Sequence, residues 1–404
     1  MKSSRKPSKT ELKRRILTRG VDQVVVCKHL ERALSGSKKI RVKLGIDPTS
    51  PDLHLGHAVV LRKLRDFQLL GHKAVFIIGD FTAKVGDPSG RSKERPILTD
   101  KEIASNMRDY LSQAGKIIDV KKAEIRYNSE WLGENVAEIL ELAKSATLNQ
   151  VSERADFQAR IKKGQKVTLL EAFYSLLQGF DSVKVRADVE LGGTDQLLNL
   201  LMGRQVQRHY DLKEQDVLTV PLIEGTDGTD KMSKSKGNYI GLNEPPKGMF
   251  GKIMALPDKL IYKYFELCTD LPESELKIIK TALGKKSTNP MDYKLRLARE
   301  ITSLYHGKIA ASQSEKEFIK VFRQKGAPSK VAIKILPKKA YLAVDLLVAV
   351  NMATSKGEAR RLITQGGVRI DEIRISSPTE RIPLSSKAKM LQVGKHRFLR
   401  VKTK

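Results

Sequence analysis

Two short stretches carry residue types suited to handling phosphate. His54-Leu55-Gly56-His57 follows a turn-rich Asp47-Pro48-Thr49-Ser50-Pro51-Asp52 and opens a helical stretch from about Leu55 to Leu70. Histidines three apart at a helix start share a face, and the free N–H groups and positive dipole end of a helix N-terminus favour an anion. Gly56, without a side chain, lets a flat ring such as adenine lie against the backbone. The same four residues also fit a metal pair or two incidental histidines, although Cys27, Cys268 and His72 are not spaced to offer a plain third ligand. Far downstream, Asp227–Asn238 interleaves Lys231, Lys234 and Lys236 with hydroxyl donors including Ser233. Such a loop sets positive charge beside a polyphosphate; taken alone, it is better read as a solvated charge run.

Three further segments offer polar groups for a small ligand. Gly79–Arg95, which contains Thr82, Asp87, Arg91 and Arg95, is a Gly/Asp loop at the end of an apolar run; ligand loops leave the C-terminal ends of strands in open parallel sheets. Tyr174, Gln178 and Asp181 stand at i, i+4 and i+7 on one face of an otherwise apolar helix. A solvated stripe is the competing reading of that face. Leu191-Gly192-Gly193-Thr194-Asp195-Gln196 sets small residues before polar ones, as a close backbone approach to a ligand requires.

The elements that must position these groups follow from periodicity. Ile40–Ile46 alternates apolar and polar residues and predicts a half-buried strand, and Ala74–Gly79 is a continuous apolar run, predicting a strand covered on both faces. Strand, helix, buried strand is a βαβ unit of a parallel α/β sheet. Helical patterns dominate 101–181, a short strand is predicted at Val217–Leu222, and 246–325 reads as mostly helical. A chain of 404 residues suits two to three domains. We expect a basic N-terminal helical segment at 1–29, a catalytic domain at 30–245, a helical domain at 246–325, a Gly/Pro/Lys linker at 326–339 and a small basic unit at 340–404.

Composition narrows the function classes. Hydrophobic residues make up 40%, which excludes global disorder, and no apolar run is long enough for a transmembrane helix. Two cysteines exclude a disulfide framework or a structural zinc site and fit a reducing cytosol. Lysine and arginine number 75 against 46 acidic residues, a net charge of +29 that favours a polyanionic partner. Residues 331–404 alone hold 16 basic and 5 acidic residues. The first 20 residues hold eight basic residues and one acid, Glu11. An organellar transit peptide has this composition; a basic N-terminus running into an amphipathic helix, in a cytoplasmic protein, is the preferred reading.

Together the histidine turn and the lysine loop resemble the HIGH and KMSKS signatures of class I aminoacyl-tRNA synthetases, the second letter for letter and the first with Leu55 for isoleucine. With the three ligand segments in this order, residues from about 30 to 404 resemble the tyrosyl-tRNA synthetase family. The resemblance implies a Rossmann-like parallel-sheet catalytic domain, an α-helical domain and a small α+β S4 RNA-binding domain. It implies tyrosine, ATP with its Mg²⁺, and tRNA(Tyr) as ligands, no structural metal, a homodimer and no membrane association. By family role, Thr49 and His54 would contact the terminal phosphates, His57 the ribose, and Asp195 with Gly192 the ribose as well. Lys231 and Lys234 would close on the departing pyrophosphate. Asp87, Tyr174 and Gln178, lined by Thr82, would hold the tyrosine ammonium. Asp181 would accept the phenol, and Gln196 would sit by the reacting carboxyl. Arg91 and Arg95 correspond to basic residues near the pyrophosphate and the tRNA acceptor end. Some members carry a second phenol-reading tyrosine where this chain has Lys43, so phenol recognition leans on Asp181.

Ser355-Lys356-Gly357-Glu358 has capping-box form and opens a helix through Thr364 that bears Lys356, Arg360 and Arg361; Gly366-Gly367 ends it, and Val368–Ile370 reads as a strand. The stretch 355–370 resembles an S4 domain, with Asp371-Glu372 in place of the usual Asn-Gly hairpin turn. Two other readings stay open at this level: another HxGH nucleotidyltransferase, and a catalytically inactive RNA-binding protein on the same scaffold. Pyrophosphate exchange that requires tyrosine separates all three.

Overall fold

The computed structural model describes residues 7–89, 98–133, 135–323, 331–394 and 397–404. Two compact units divide near Tyr305 and His306. The first is built on a six-stranded sheet of β1 (Gln23–Val25), β2 (Arg41–Ile46), β3 (Lys73–Ile78), β4 (Glu124–Tyr127), β5 (Val189–Gly193) and β6 (Asp216–Val220), in the order β1-β6-β5-β2-β3-β4. All neighbours are parallel except β1, which pairs antiparallel with β6.

The chain leaves β2 toward β3 and β4, then returns to the other side of β2 for β5 and β6. The point where the order reverses lies between β2 and β5, and a crevice outside their C-terminal ends is where such sheets take ligands. The Leu55–Leu70 helix packs against β2, β3 and β5, and its Leu61, Leu64 and Phe67 are fully buried. Each such side chain contributes roughly 1.5–3 kcal/mol by leaving water. Leu176, Leu177 and Phe180, on the Leu169–Lys184 helix, join Val75, Ile77, Trp131 and Val206 in one apolar cluster.

β2 departs from the half-buried strand its alternation predicts. Val42, Lys43 and Leu44 are all buried, because β2 is central and covered on both faces. Lys43 survives there by pairing with Glu190 on β5 at 2.8 Å. The Lys9–Thr18 helix is capped by a Ser8–Glu11 box and buries Leu12 and Ile16. Lys63 Nζ, within the Leu55–Leu70 helix, donates to the carbonyls of Arg15, Ile16 and Arg19 at 2.7–3.1 Å. Arg19 in turn donates to the carbonyls of Glu266, Thr269 and Leu271. Arg19 thus closes the C-terminal end of the Ile261–Cys268 helix, and Lys63 closes that of the Lys9–Thr18 helix.

Helices at Pro246–Met254, Ile261–Cys268, Glu273–Leu283 and Pro290–Phe318 follow, the last broken at Gly307. The second unit has a five-stranded sheet of β7 (Ile333–Leu336), β9 (Val368–Ile370), β10 (Ile373–Arg374), β12 (Lys389–Val393) and β13 (Arg397–Thr403). A pair, β8 (Ala340–Leu342) with β11 (Arg381–Pro383), stands apart from it. Residues 333–336, read from sequence as linker, form β7 and pair parallel with β13; the two prolines and the lysines around them mask a strand of alternating isoleucines. Asp371 and Glu372 take φ of 45° and 71° to turn β9 into β10, the left-handed conformation a tight hairpin demands. Ser355 caps the Lys356–Thr364 helix by accepting from the Glu358 N–H, while the Glu358 carboxylate reaches Thr354 rather than closing the box.

Candidate active site

A cavity of about 790 Å³ opens at the reversal point between β2 and β5. Thr49, His54, Gly56, His57, Thr82, Asp87, Tyr174, Gln178, Asp181, Gly192, Asp195, Gln196, Lys231, Ser233 and Lys234 all line it. Arg91 and Arg95 lie outside the described residues. Lys356, Arg360 and Arg361 belong to the second unit, where all three are exposed on one helix.

On the phosphate side, both imidazoles are oriented by backbone N–H groups. The Gly56 N–H donates to His54 Nδ1 at 3.1 Å, and the His54 N–H donates to His57 Nδ1 at 3.2 Å. With Nδ1 accepting, each neutral ring carries its proton on Nε2. Burial, with Lys234 and Lys231 nearby, pulls both pKa values down, that of His57 to about 3, so these rings are neutral donors at pH 7. Gly56 is required here, since a Cβ would lie 2.9 Å from the His54 ring.

The lysine loop is pinned from within. Met232 is 1% exposed. The buried Asn238 carboxamide accepts from the Ser233 N–H at 2.7 Å and donates to Asp227 at 2.6 Å and to the Lys231 carbonyl at 3.2 Å. Lys231 pairs with Asp195, and Lys234 Nζ donates to Ser50 Oγ at 2.8 Å. Burial lowers the Lys234 pKa to about 8, with Asp52 opposing.

On the other side, the Tyr174–Gln178–Asp181 face turns into the cavity, and Tyr174 and Asp181 are buried rather than solvated. Tyr174 donates to Asp47 at 2.9 Å, and Thr82 donates to the same carboxylate at 2.7 Å. Gly79 permits this, because a Cβ there would sit 2.0 Å from Asp47 Oδ1. Gln196 donates to Asp87 at 2.8 Å. Asp181 accepts from Trp131 Nε1 at 2.9 Å and from Asn128 at 3.4 Å. Desolvation pushes its carboxyl up to about 7, against the opposing influence of Lys43, Trp131 and Asn128. Asp47, Ser50, Asn128, Trp131 and Asn238 escaped the sequence reading. Only Asp47 carried a usable signal, as an acid immediately after β2, and the proline behind it made it look like a turn residue.

A parallel sheet, a histidine turn on a helix N-terminus and a lysine loop facing it across one cavity define a nucleotide-handling class I synthetase core. The family model described as "tRNA synthetases class I (W and Y)" matches residues 35–323, and the S4 domain model matches 344–385. A tyrosine–tRNA ligase of Thermotoga maritima is 47% identical over 388 residues, 96% of each chain. One of Moorella thermoacetica is 45% identical, over 96% of this chain and 95% of its own. A C-terminally truncated mitochondrial tyrosyl-tRNA synthetase of Aspergillus nidulans superposes with a TM-score of 0.65 at 23% identity, covering 79% of this chain and 95% of that one. The chain belongs to the tyrosine–tRNA ligase family.

Proposed function

We propose that the chain activates L-tyrosine with ATP to tyrosyl-adenylate and pyrophosphate, then esterifies the 3′ end of tRNA(Tyr). The observation that carries this is one cavity holding the histidine turn, the lysine loop and the Tyr174–Gln178–Asp181 face. The tyrosine carboxylate attacks the α-phosphorus in line, and the bond to the β-phosphate oxygen breaks, so the protein's work is positioning and charge stabilisation. His54 and His57 donate from Nε2 to phosphate and ribose oxygens, and Thr49 adds a hydroxyl. Lys231 and Lys234 leave Asp195 and Ser50 for the departing pyrophosphate, freeing Asp195, beside Gly192, for the ribose. Asp87, Tyr174 and Gln178 take the ammonium, Asp181 the phenol, and Gln196 the carboxyl side. Mg²⁺ arrives as MgATP, held mainly by phosphates.

The exposed Lys356, Arg360 and Arg361 are read as a tRNA contact, as are Arg91 and Arg95 at the acceptor end. A homodimer is supported by the family resemblance and by Val136, Leu140, Leu169 and Leu198, large apolar side chains exposed on helices of the first unit. Cytoplasmic location is the reading that the basic N-terminus supports, its Lys9–Thr18 helix packing into the first unit. Among the described residues, no helix is long and apolar enough to cross a membrane. Tyrosine-dependent pyrophosphate exchange, with phenylalanine and tryptophan inert, tests the reading. Exchange with none of the three amino acids refutes it.

A further inference from the structure

Beneath the cavity floor lies a buried polar cluster that none of the roles above uses. The Lys43 ammonium has three donors, and all are spent: Gln178 O at 2.7 Å, Ser182 Oγ at 2.7 Å and Glu190 Oε1 at 2.8 Å. Lys43 is fully buried and Glu190 is 1% exposed, so no N–H remains for a ligand and Lys43 acts only through its partners. Glu190 Oε1 also accepts from Gln178 Nε2 at 3.2 Å, while its Oε2 accepts from Ser182 at 3.1 Å and from Gln215.

We propose that Lys43 and Glu190 are positioning residues for the substrate ammonium: they fix the Gln178 side-chain amide so that its carbonyl end faces the cavity. The polarity runs one way. Glu190 meets the Lys43 ammonium in an ion pair at 2.8 Å, a carboxylate only accepts, and the NH₂ end of Gln178 therefore points to Glu190. The carbonyl oxygen is left to the ligand, and an acceptor is what an ammonium needs. This inference rests on the reading of Gln178 as an ammonium-side residue.

The test uses three probes on the full chain: tyrosine, tyramine, which keeps the ammonium and lacks the carboxylate, and 3-(4-hydroxyphenyl)propanoate, which lacks the ammonium. Lys43→Met alone strands a buried carboxylate and threatens the fold. The double variant Lys43→Met/Glu190→Met removes both charges, a replacement buried ion pairs commonly tolerate. The double variant is expected to bind tyrosine and tyramine about tenfold or more weakly, the scale of a hydrogen bond to a charged group. The propanoate and ATP should bind as before. Equal weakening for all three probes, or unchanged tyramine binding, overturns the proposal. Gln178→Ala separates the two layers. If it leaves tyramine unaffected, the ammonium reading of Gln178 fails. If it weakens tyramine while the double variant does not, only the relay fails.

Discussion

Replacing Asp181 by asparagine should make the protein more stable and less active, with a pH dependence that identifies the cause. Asp181 is buried, and desolvation raises its carboxyl from an ordinary 3.8 to about 7. At 1.36 kcal/mol per tenfold, carrying that charge in the folded protein costs about 4 kcal/mol above pH 7. The sign follows from linkage. The folded state binds the proton more tightly than the unfolded state, so the penalty is absent below pH 4, grows as pH rises from about 4 to 7, and is constant above. Asparagine carries no such charge. It keeps an acceptor for Trp131 and loses at most about 1 kcal/mol at the 3.4 Å Asn128 contact. Urea unfolding of both proteins at pH 5 and pH 8 should show the variant gaining about 2–3 kcal/mol relative to wild type between the two pH values. At the same time tyrosine-dependent pyrophosphate exchange should fall sharply, because the amide NH₂ competes for the phenol's position. A stability difference independent of pH would refute the reasoning, since Asp181 would then carry no desolvation penalty.

Four other outcomes follow from the geometry. Lys234→Ala should lower kcat for adenylate formation about a hundredfold with a smaller change in ATP KM; equal effects on both would mean a ground-state role. Asn238→Ala removes the carboxamide at the centre of the lysine loop. It should speed trypsin cleavage at Lys231 and Lys234 and lower kcat, and unchanged proteolysis would count against its anchoring role. With tyrosine saturating, the pH profile of activation should have the same shape in wild type and His57→Asn from pH 5.5 to 7.5, because His57 is already neutral there; a limb lost in the variant would show that the ring titrates. Changing Lys356, Arg360 and Arg361 to alanine should flatten the salt dependence of tRNA charging and leave pyrophosphate exchange unchanged. A loss of exchange would tie that helix to the catalytic unit instead.

Long, regular features were legible from sequence. The Leu55–Leu70 helix and β3 announce themselves by period and by a continuous apolar run, and the histidine turn lies next to the helix in the chain. The edge strands β1 and β4 did not, being three and four residues long with no apolar repeat. Lys43 misled for a different reason. A lysine in an alternating strand reads as solvent-facing, and its burial is intelligible only once Glu190 on β5 is known to lie beside it. Asp47 was hidden likewise, since it works through Thr82 and Tyr174, brought near by folding, whereas Asn238 bonds within its own loop, where its sequence neighbours are just as polar.

The docking of the Lys9–Thr18 helix has a consequence for how the chain is made. Arg19 bonds to carbonyls 246 to 252 residues further along. Synthesis proceeds N-terminus first at roughly 5–20 residues per second, so Arg19 waits about 10–50 seconds before the Ile261–Cys268 helix exists to receive it. Through that interval the Arg19 guanidinium stands without those acceptors, while Asp66, the partner of Arg15, is already made. The Ser8–Glu11 cap, complete within four residues, lets the segment hold a helix locally while its distant partner is still being written.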